Sequence, residues 1–422
     1  MKNKLAIILV AILLVVSLIS CETETITCYG NETTADSMAT TKEAEVLPSA
    51  TDNLSFTDNL MALTASDGNR MISPYSAKMC LALLANGANG ETKEQILNAI
   101  GIDDLDKYNA DVEALLARYA TYAGVMSLET ANSLWLNQTI FNGKGAFLAP
   151  YRDAMQKFYS AEVREVTSEN SVEEVNAWVN EKTKEKIPTI LTEDHRNFAT
   201  ALVNAVYFKA PWQTPFEEYL TEKKVFNNAD GTTTELDFMH DTAYYEYCEV
   251  NGTKAIKLNY GRFTNDELYI SDSDYDFSMY IMLGDDVNVE EFLNNASFES
   301  TRVALAIPKF EFEYSVGLVD ILKALGMVDA FDEVKADLGR MIDLDKSGGN
   351  LFVSDVLQKT YIGVDGNGTE AAAVTAIIAN LTSAPIKQPD PIEFTADKPF
   401  YFAIRDNTSG ELLFVGRYET GK

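Results

Sequence analysis

The chain is 422 residues long and strongly acidic, with 64 Asp and Glu against 34 Lys and Arg and a net charge of −30. That charge excludes a nucleic-acid-binding role and electrostatic docking on anionic lipid, because both of these phosphate surfaces select basic proteins. Hydrophobic residues make up 46% of the chain and aromatic residues 10%, which supports a large packed core and excludes global disorder.

We expect residues 1–20 to form an export signal. Two lysines within residues 1–4 precede an uncharged apolar run at residues 5–20, and Cys21 follows at once. This pattern is typical of a secretory signal, and the run is slightly short for a spanning helix. Residues 18–21 resemble the lipobox of prokaryotic lipoproteins, which predicts lipidation of Cys21. Plain secretion and an uncleaved anchor are the alternatives, and the lipid anchor and plain secretion both predict an extracellular or cell-surface location.

The next segment, residues 21–52, predicts a flexible tether, because it is rich in Thr, Glu, Ala and Ser and lacks apolar periodicity. Globular character begins near Asn53 and continues to the end of the chain. Residues 53–422 contain no internal repeat and no second linker. We therefore expect one large domain there, although length alone suggests two or three.

The cysteines and histidines do not predict a metal site or a hydrolase. The spacing of the four cysteines resembles no zinc site, and Cys80 lies in an apolar run where a buried free thiol is expected. If Cys21 is lipidated, an odd number remains and a complete disulfide set is impossible. Neither His195 nor His240 lies in the sequence context of a nucleophile elbow. We expect no enzymatic activity, no metal and no cofactor.

Helix signals dominate the first half of the domain and strand signals the second. The predicted helices are residues 76–86, 92–100 and 171–186. The predicted strands are residues 201–209, 280–283, 303–307 and 412–415. Helices followed by strands within one unit indicate an α+β fold.

One segment, residues 366–391, fits neither pattern. Its first part, residues 368–378, combines alanines that favour a helix with Thr, Val and two Ile that favour a strand. A polar stretch that contains proline follows. The residues alone leave an alanine-rich helix or linker and a strand of small side chains as alternatives.

Several motifs agree in order and spacing with those of a known family. They are residues 73–76 and 84–92, residues 204–209 with Trp212 and Phe216, residues 308–310, 325–327 and 330–331, and the closing run at residues 394–400, 404–405 and 410–417. Over residues 53–422 the chain thereby resembles the serpins. The resemblance implies an α+β serpin fold, in which helices pack around a large central mixed β-sheet and a reactive-centre loop is exposed.

The resemblance implies a monomeric inhibitor of chymotrypsin-fold or subtilisin-like serine proteases. In inhibitory serpins a protease cleaves the loop and forms an acyl-enzyme, and the loop then inserts into the central sheet as a new strand and distorts the protease. The alternatives are a non-inhibitory serpin, whose loop is an inert substrate, and a surface-binding lipoprotein that uses the same fold.

The resemblance places the reactive-centre loop at about residues 366–391. Its hinge comprises Gly368, Thr369, Glu370, Ala371, Ala372, Ala373 and Val374. A strand that enters between two paired strands needs small, uncharged side chains on the face that meets the core. Strand alternation places Thr369 and Ala371 on that face, and Glu370, the one charged residue of the hinge, on the other.

The resemblance also implies the bond that is cleaved. The family's spacing from the hinge glycine indicates Thr382-Ser383, with Leu381 as the second choice for the residue before the bond. Thr382 suits a protease with a small, elastase-like pocket, and Leu381 suits an apolar, chymotrypsin-like pocket. A glycan on Asn380, which begins an Asn-X-Ser/Thr triplet, would block docking.

Five further residues match the family's shutter and breach, the regions that control opening of the sheet. They are Ser73, Ser76, Asn204, Trp212 and Gln358. The chain departs from the family pattern at Gln358, where a histidine is frequent, and at Gly366, where a glutamate is frequent. Because an amide both donates and accepts hydrogen bonds, Gln358 predicts a neutral shutter network with Ser76 and Asn204.

Overall fold

The computed structural model describes residues 54–64, 68–122, 126–264, 267–269, 276–370 and 388–422. All of them lie in one compact unit, Leu47–Lys422. Outside these residues fall the predicted signal, the predicted tether at residues 21–52 with its Cys21, the next residue, Asn53, and the predicted reactive bond. Within the described residues, no helix combines the length and apolar character needed to cross a bilayer.

The helices of the described residues differ in how they begin, and only some of them start at a capping side chain. The helices are α1 (Phe56–Leu63), α2 (Pro74–Gly87), α3 (Gly90–Ile100), α4 (Leu105–Ala120), α5 (Ala149–Tyr159), α6 (Ser171–Lys182), α7 (Val289–Asn295), α8 (Val319–Ala324) and α9 (Leu344–Ser347). The side chain of Ser73 caps α2 by accepting from the Ser76 N–H at 3.3 Å. Helix α6 is shorter than the predicted 171–186, because Lys184 and Glu185 take left-handed φ angles of 52° and 65° and turn the chain.

The strands alternate with these helices and follow them. They are β1 (Arg70–Ile72), β2 (Ser127–Asn137), β3 (Glu162–Val166), β4 (Thr200–Pro211), β5 (Glu222–Asn227), β6 (Thr233–Val250), β7 (Thr253–Asn259), β8 (Arg262–Thr264), β9 (Glu267–Tyr269), β10 (Phe277–Leu283), β11 (Glu299–Pro308), β12 (Phe310–Gly317), β13 (Asp355–Asp365), β14 (Gly368–Thr369), β15 (Ile392–Thr395), β16 (Phe400–Asp406) and β17 (Leu412–Tyr418). All four predicted strands lie within this set, as parts of β4, β10, β11 and β17.

Two large sheets organise the domain. The central sheet has the order β12-β13-β14-β4-β2-β3, with a further pairing between β13 and β4. It is mixed, because β13 pairs with β4 and β2 with β3 in parallel, whereas β2 and β4 are antiparallel. The second sheet has the order β1-β17-β16-β10-β7-β6-β11-β15, with β5 also on β6. The α+β class predicted from the sequence is confirmed.

Hydrophobic packing covers both faces of the central sheet. The larger core lies on the face that meets the second sheet and α2, and it includes Leu202, Val206 and Phe208 of β4. A smaller cluster lies on the opposite face beneath α6, where Trp178 packs edge-to-face on Trp135. Strand β4 is therefore buried on both sides, which explains its nearly continuous apolar sequence. We call these the core face and the outer face of the central sheet.

Candidate functional site

The pairing of the central sheet changes along the seam between β13 and β4. At the lower end of the seam, residues 355–360 of β13 pair directly with residues 201–206 of β4. At the upper end, β14 lies between them, and Thr369 pairs with Val364 of β13 on one side and with Ala210 of β4 on the other. A third strand therefore already enters the sheet at the upper end.

The side chain of Thr369 occupies a closed site on the core face. It is 0% exposed, and its hydroxyl oxygen lies 2.6 Å from the phenol oxygen of Tyr260. Burial raises the pKa of Tyr260, so this phenol remains neutral and able to hydrogen-bond. The ring of Tyr260 stacks on Trp212 with centroids 4.7 Å apart. We term Tyr260 and Trp212 the hinge seat.

Trp212 also holds the chain that leads into the seat. Its indole Nε1 donates to the carbonyl of Asp365 at 2.9 Å, and its backbone N–H donates to the carbonyl of Asn367 at 2.9 Å. The Phe216 N–H donates to the carbonyl of Gly366 at 2.8 Å. A Cβ on Gly366 would lie 3.4 Å from the Phe216 carbonyl oxygen, an ordinary van der Waals contact, so the departure from the family's frequent glutamate leaves this connection in place.

The structure differs from the sequence expectation at the start of the hinge. Gly368 and Thr369 were expected in an exposed loop that enters the sheet after cleavage, yet here they form β14 and are buried. Gly368 and Thr369 take this docked position because the segment contacts Tyr260 and Trp212, two residues that are far away in the sequence. Ala371, Ala372, Ala373 and Val374, with Leu381, Thr382 and Ser383, lie outside the described residues.

On the outer face, Glu370 marks the end of the docked segment. Its backbone N–H donates to the Gly363 carbonyl at 2.7 Å, and its φ of 50° turns the chain out of the strand direction. Its carboxylate forms an ion pair with Lys186, whose Nζ lies 4.9 Å from the ring centroid of Tyr361. Burial and the adjacent Glu370 carboxylate raise the pKa of Tyr207. The charge of Glu370 is thus compensated on the face opposite Thr369.

Immediately below Thr369, the core face contains a narrow gap that is too small for a water molecule. The residues that line it are Phe208, Tyr361, Ile362, Thr369, Ile404 and Phe414. The gap lies where β13 and β4 begin to separate, beside residues that a strand inserted between them would cover. Its lining is nearly all apolar, so if the lining moves apart, a small apolar side chain can enter there without loss of a hydrogen bond.

The lower end of the seam is held by buried amides and hydroxyls. Gln358 Nε2 donates to Asn204 Oδ1 at 2.8 Å and to the Ser73 carbonyl at 3.1 Å, and Gln358 Oε1 accepts from the Ser73 N–H at 2.8 Å. Asn204 Nδ2 donates to the Ser76 hydroxyl and to Asn132 Oδ1. All five residues are at most 2% exposed. We call this set the shutter network, and it crosses the seam between β13 and β4.

The structure thus brings four of the sequence-predicted residues, Ser73, Ser76, Asn204 and Gln358, into one network, and it places Trp212 at the other end of the seam. Sequence reasoning missed three residues, namely Asn132, which joins the network, Tyr260, which contacts Trp212 and Thr369, and Lys186, which pairs with Glu370. No local signal marks these three, because each reaches its partner only through strand pairing or a chain crossing.

The described cysteines and acidic residues add no second site. Cys80 and Cys248 are buried free thiols, and burial raises the pKa of Cys80 to about 12. Such a thiol is unreactive at neutral pH. Among the residues whose structure is described, no cluster of three His, Cys, Asp or Glu side chains is arranged to hold a metal ion.

Comparison with known proteins agrees with this architecture. The family model described as "Serpin (serine protease inhibitor)" matches residues 52–420. The chain is 32% identical to Serpin-Z10 of Arabidopsis thaliana over 382 residues, which is 86% of this chain and 94% of that one. It is also 32% identical to a leukocyte elastase inhibitor of Xenopus laevis over 383 residues, or 84% and 94% of the two chains.

Solved structures give the same result. The thermophilic serpin Tengpin in its native state superposes with a TM-score of 0.73 at 27% identity, covering 86% of this chain and 92% of that one. AtSerpin1 of Arabidopsis, in a native stressed conformation, gives a TM-score of 0.71 at 26% identity, covering 86% and 94%. The serpin fold expected from the sequence motifs is therefore confirmed.

Proposed function

The chain belongs to the serpin family, and from that premise we propose that it inhibits serine proteases as a suicide substrate. The observation that carries the proposal is β14, which lies between β13 and β4 and bonds to both. A sheet that accepts two hinge residues at the upper end of its seam has the geometry to accept the residues that follow. The neighbouring gap and the small side chains of the hinge support the same reading.

The register of β14 specifies where an inserted loop would lie. Continued along β4 and β13, it puts Ala371 level with Phe208 and Ile362, which line the gap. It puts Thr375 level with Asn204 and Gln358, so insertion to that depth replaces their mutual hydrogen bond. The core-facing residues from Thr369 to Thr375 are alanines and threonines, which are small enough for the closed face to accommodate.

The chemistry that precedes insertion belongs to the protease. Its serine Oγ bonds to the carbonyl carbon of Thr382, the Thr382–Ser383 amide bond breaks, and the hydroxyl proton passes to the amino group that leaves on Ser383. Water would then release Thr382 as a carboxylic acid and return the proton to the serine. Insertion of the loop before that hydrolysis traps the acyl-enzyme.

The driving force for insertion is the ladder that the uncleaved sheet lacks. A new central strand bonds to β13 on one side and to β4 on the other, and each ladder hydrogen bond contributes about 1 kcal/mol net. Because β13 and β4 pair with each other only over residues 355–360 and 201–206, the insertion also exchanges this short direct pairing for two longer ones.

The proposed partners are serine proteases with a small or apolar specificity pocket, in agreement with Thr382 or Leu381 before the cleaved bond. Relatives about a third identical to this chain include proteins named leukocyte elastase inhibitor, which supports an elastase-like pocket. We also propose that the protein acts as a monomer outside the cell or on its surface, tethered through residues 21–52 to a lipid on Cys21. The apolar run at residues 5–20 and the lipobox-like residues 18–21 support that location.

The decisive experiment is a gel assay for covalent complexes. The purified chain, incubated with elastase-like, chymotrypsin-like and trypsin-like serine proteases, should form a band that survives boiling in detergent with the first or second class. Mass spectrometry of the peptide released from the loop identifies the cleaved bond. Cleavage by every active protease without any covalent band would contradict inhibition and favour a non-inhibitory serpin or a surface-binding lipoprotein.

A further inference from the structure

The docked segment of the hinge is too short to hold itself in the sheet. Strand β14 has two residues, and one of them, Gly368, loses more conformational entropy on ordering than any other residue type would. Besides its backbone pairing and the Asp365 side chain, which accepts from the Gly368 N–H at 3.3 Å, the segment makes two long-range side-chain contacts. The Thr369 hydroxyl meets Tyr260 on the core face, and the Glu370 carboxylate meets Lys186 on the outer face.

Lys186 is well placed to act as a fixed partner. It follows the left-handed turn that ends α6, its N–H donates to the Thr183 carbonyl at 3.1 Å, and the next residue, Ile187, is fully buried in the cluster beneath α6. Its ammonium group lies over the ring of Tyr361, and its side chain is 36% exposed. The backbone at this position therefore cannot move without disturbing the packing of the outer face.

Glu370 fits this partner equally well. Its side chain is 16% exposed, and its backbone N–H donates to the Gly363 carbonyl at 2.7 Å, which positions the carboxylate on the outer face. The left-handed backbone of Glu370 is unfavourable for a residue with a Cβ, and the ion pair offsets that cost. The pair thus stabilises the docked position of the hinge at its last described residue.

We propose that Lys186 is a positioning residue for loop insertion, and this inference rests on the proposed inhibitory function. Forming the first contacts of a new strand costs chain entropy before any later contact compensates for it. A hinge that Lys186 and Tyr260 keep docked has already made those first contacts, because it is paired with both β13 and β4. After cleavage, insertion then begins at once, and fewer acyl-enzymes hydrolyse before they are trapped.

The chain supplies a matched control. Lys184, two residues earlier on the same turn, forms an ion pair with Glu129 of β2 at 2.9 Å. This pair also joins the connection after α6 to the central sheet, but it does not contact the hinge. Replacing either lysine removes one ion pair from the same connection, and only one of the two substitutions releases Glu370.

The test is the number of inhibitor molecules consumed per protease molecule trapped, measured with the full chain. Lys186→Gln should raise that number by up to about fivefold, the range expected for a partly exposed ion pair. The rate of loop cleavage should not change, and Lys184→Gln should behave as wild type. Exchanging the charges, with Lys186→Glu and Glu370→Lys together, should restore trapping. High salt should weaken trapping by wild type but not by Lys186→Gln.

Hydrogen exchange at the Glu370 amide separates this inference from the proposed function. Lys186→Gln should lower protection of that amide, and Lys184→Gln should not. Wild-type complexes with unchanged stoichiometry in Lys186→Gln would overturn the role of Lys186 alone. If wild type forms no complex with any protease, inhibition fails, and unchanged amide protection would overturn the docking role as well.

Discussion

The two ends of the seam between β13 and β4 differ in the polarity of the side chains that surround them. At the upper end, aromatic rings surround one hydrogen bond between Thr369 and Tyr260, and the gap below is almost entirely apolar. At the lower end, buried amides and hydroxyls of the shutter network bond across the seam, and the two strands pair directly. One end already admits a strand, and the other excludes it.

This contrast indicates the order in which the sheet opens. A small apolar side chain enters the upper end without breaking any hydrogen bond, whereas entry at the lower end leaves buried polar groups unpaired, at a cost of about 1–3 kcal/mol for each group. In the proposed mechanism, insertion would therefore start at Thr369 and would meet its main resistance at the level of Asn204 and Gln358. Three substitutions test the two ends separately.

The largest effect is expected from a charge at the upper end. Thr369→Arg would require a guanidinium group at a fully buried position beside the neutral phenol of Tyr260. Burying an unpaired charge costs several kcal/mol, and each 1.4 kcal/mol on the insertion barrier slows insertion about tenfold. Hydrolysis of the acyl-enzyme should then win by about a hundredfold or more, so the variant should be cleaved at the same bond and release active protease.

A matched control keeps the shape of the side chain. Thr369→Val removes the hydroxyl without adding charge, and it should continue to trap protease in the gel assay. Both variants should fold, because Thr369 lies at the end of a two-residue strand. Trapping by Thr369→Arg at the wild-type stoichiometry would show that the hinge does not enter the sheet.

A smaller effect, on stability this time, is expected at the lower end. Gln358→Ala leaves the Ser73 N–H and the Asn204 Oδ1 without their partner, which should lower the free energy of unfolding by about 2–4 kcal/mol. Thermal unfolding monitored by circular dichroism measures the change. Lys107→Gln, which removes an exposed ion pair with Asp111 on α4, should cost much less. Equal losses in the two variants would mean that the shutter network has no special role.

The smallest effect is expected from the hinge seat. Tyr260→Phe keeps the stack on Trp212 and removes one hydrogen bond to Thr369, worth about 1 kcal/mol. The number of inhibitor molecules consumed per trapped protease should rise by less than about tenfold. Combining it with Thr369→Val should add nothing further, because both substitutions remove the same bond. Additive effects would place the contribution of Tyr260 elsewhere.

Local sequence predicts much of the secondary structure in this arrangement. The capping serine and the proline at positions 73 and 74 start α2, and the run of apolar residues at 201–208 forms a strand buried on both faces. The predicted helix at 171–186 was too long, because the helix ends at Lys182 and the chain turns at Lys184 and Glu185, whereas the apolar periodicity, which ends at Val179, gives no end point. Periodicity reports which face is apolar, and it does not report where the backbone leaves the helix.

The motifs of the sequence also mark Ser73, Asn204 and Gln358 at the lower end of the seam, although no motif marks Asn132, which joins them there. The state of the upper end was decided only by the tertiary structure. Thr369 contacts a tyrosine 109 positions away, and Glu370 contacts a lysine that follows α6 on the outer face of the sheet. Alternation along a strand predicts which face each side chain takes, but a two-residue strand owes its docked position to partners that only the packed sheets bring to it.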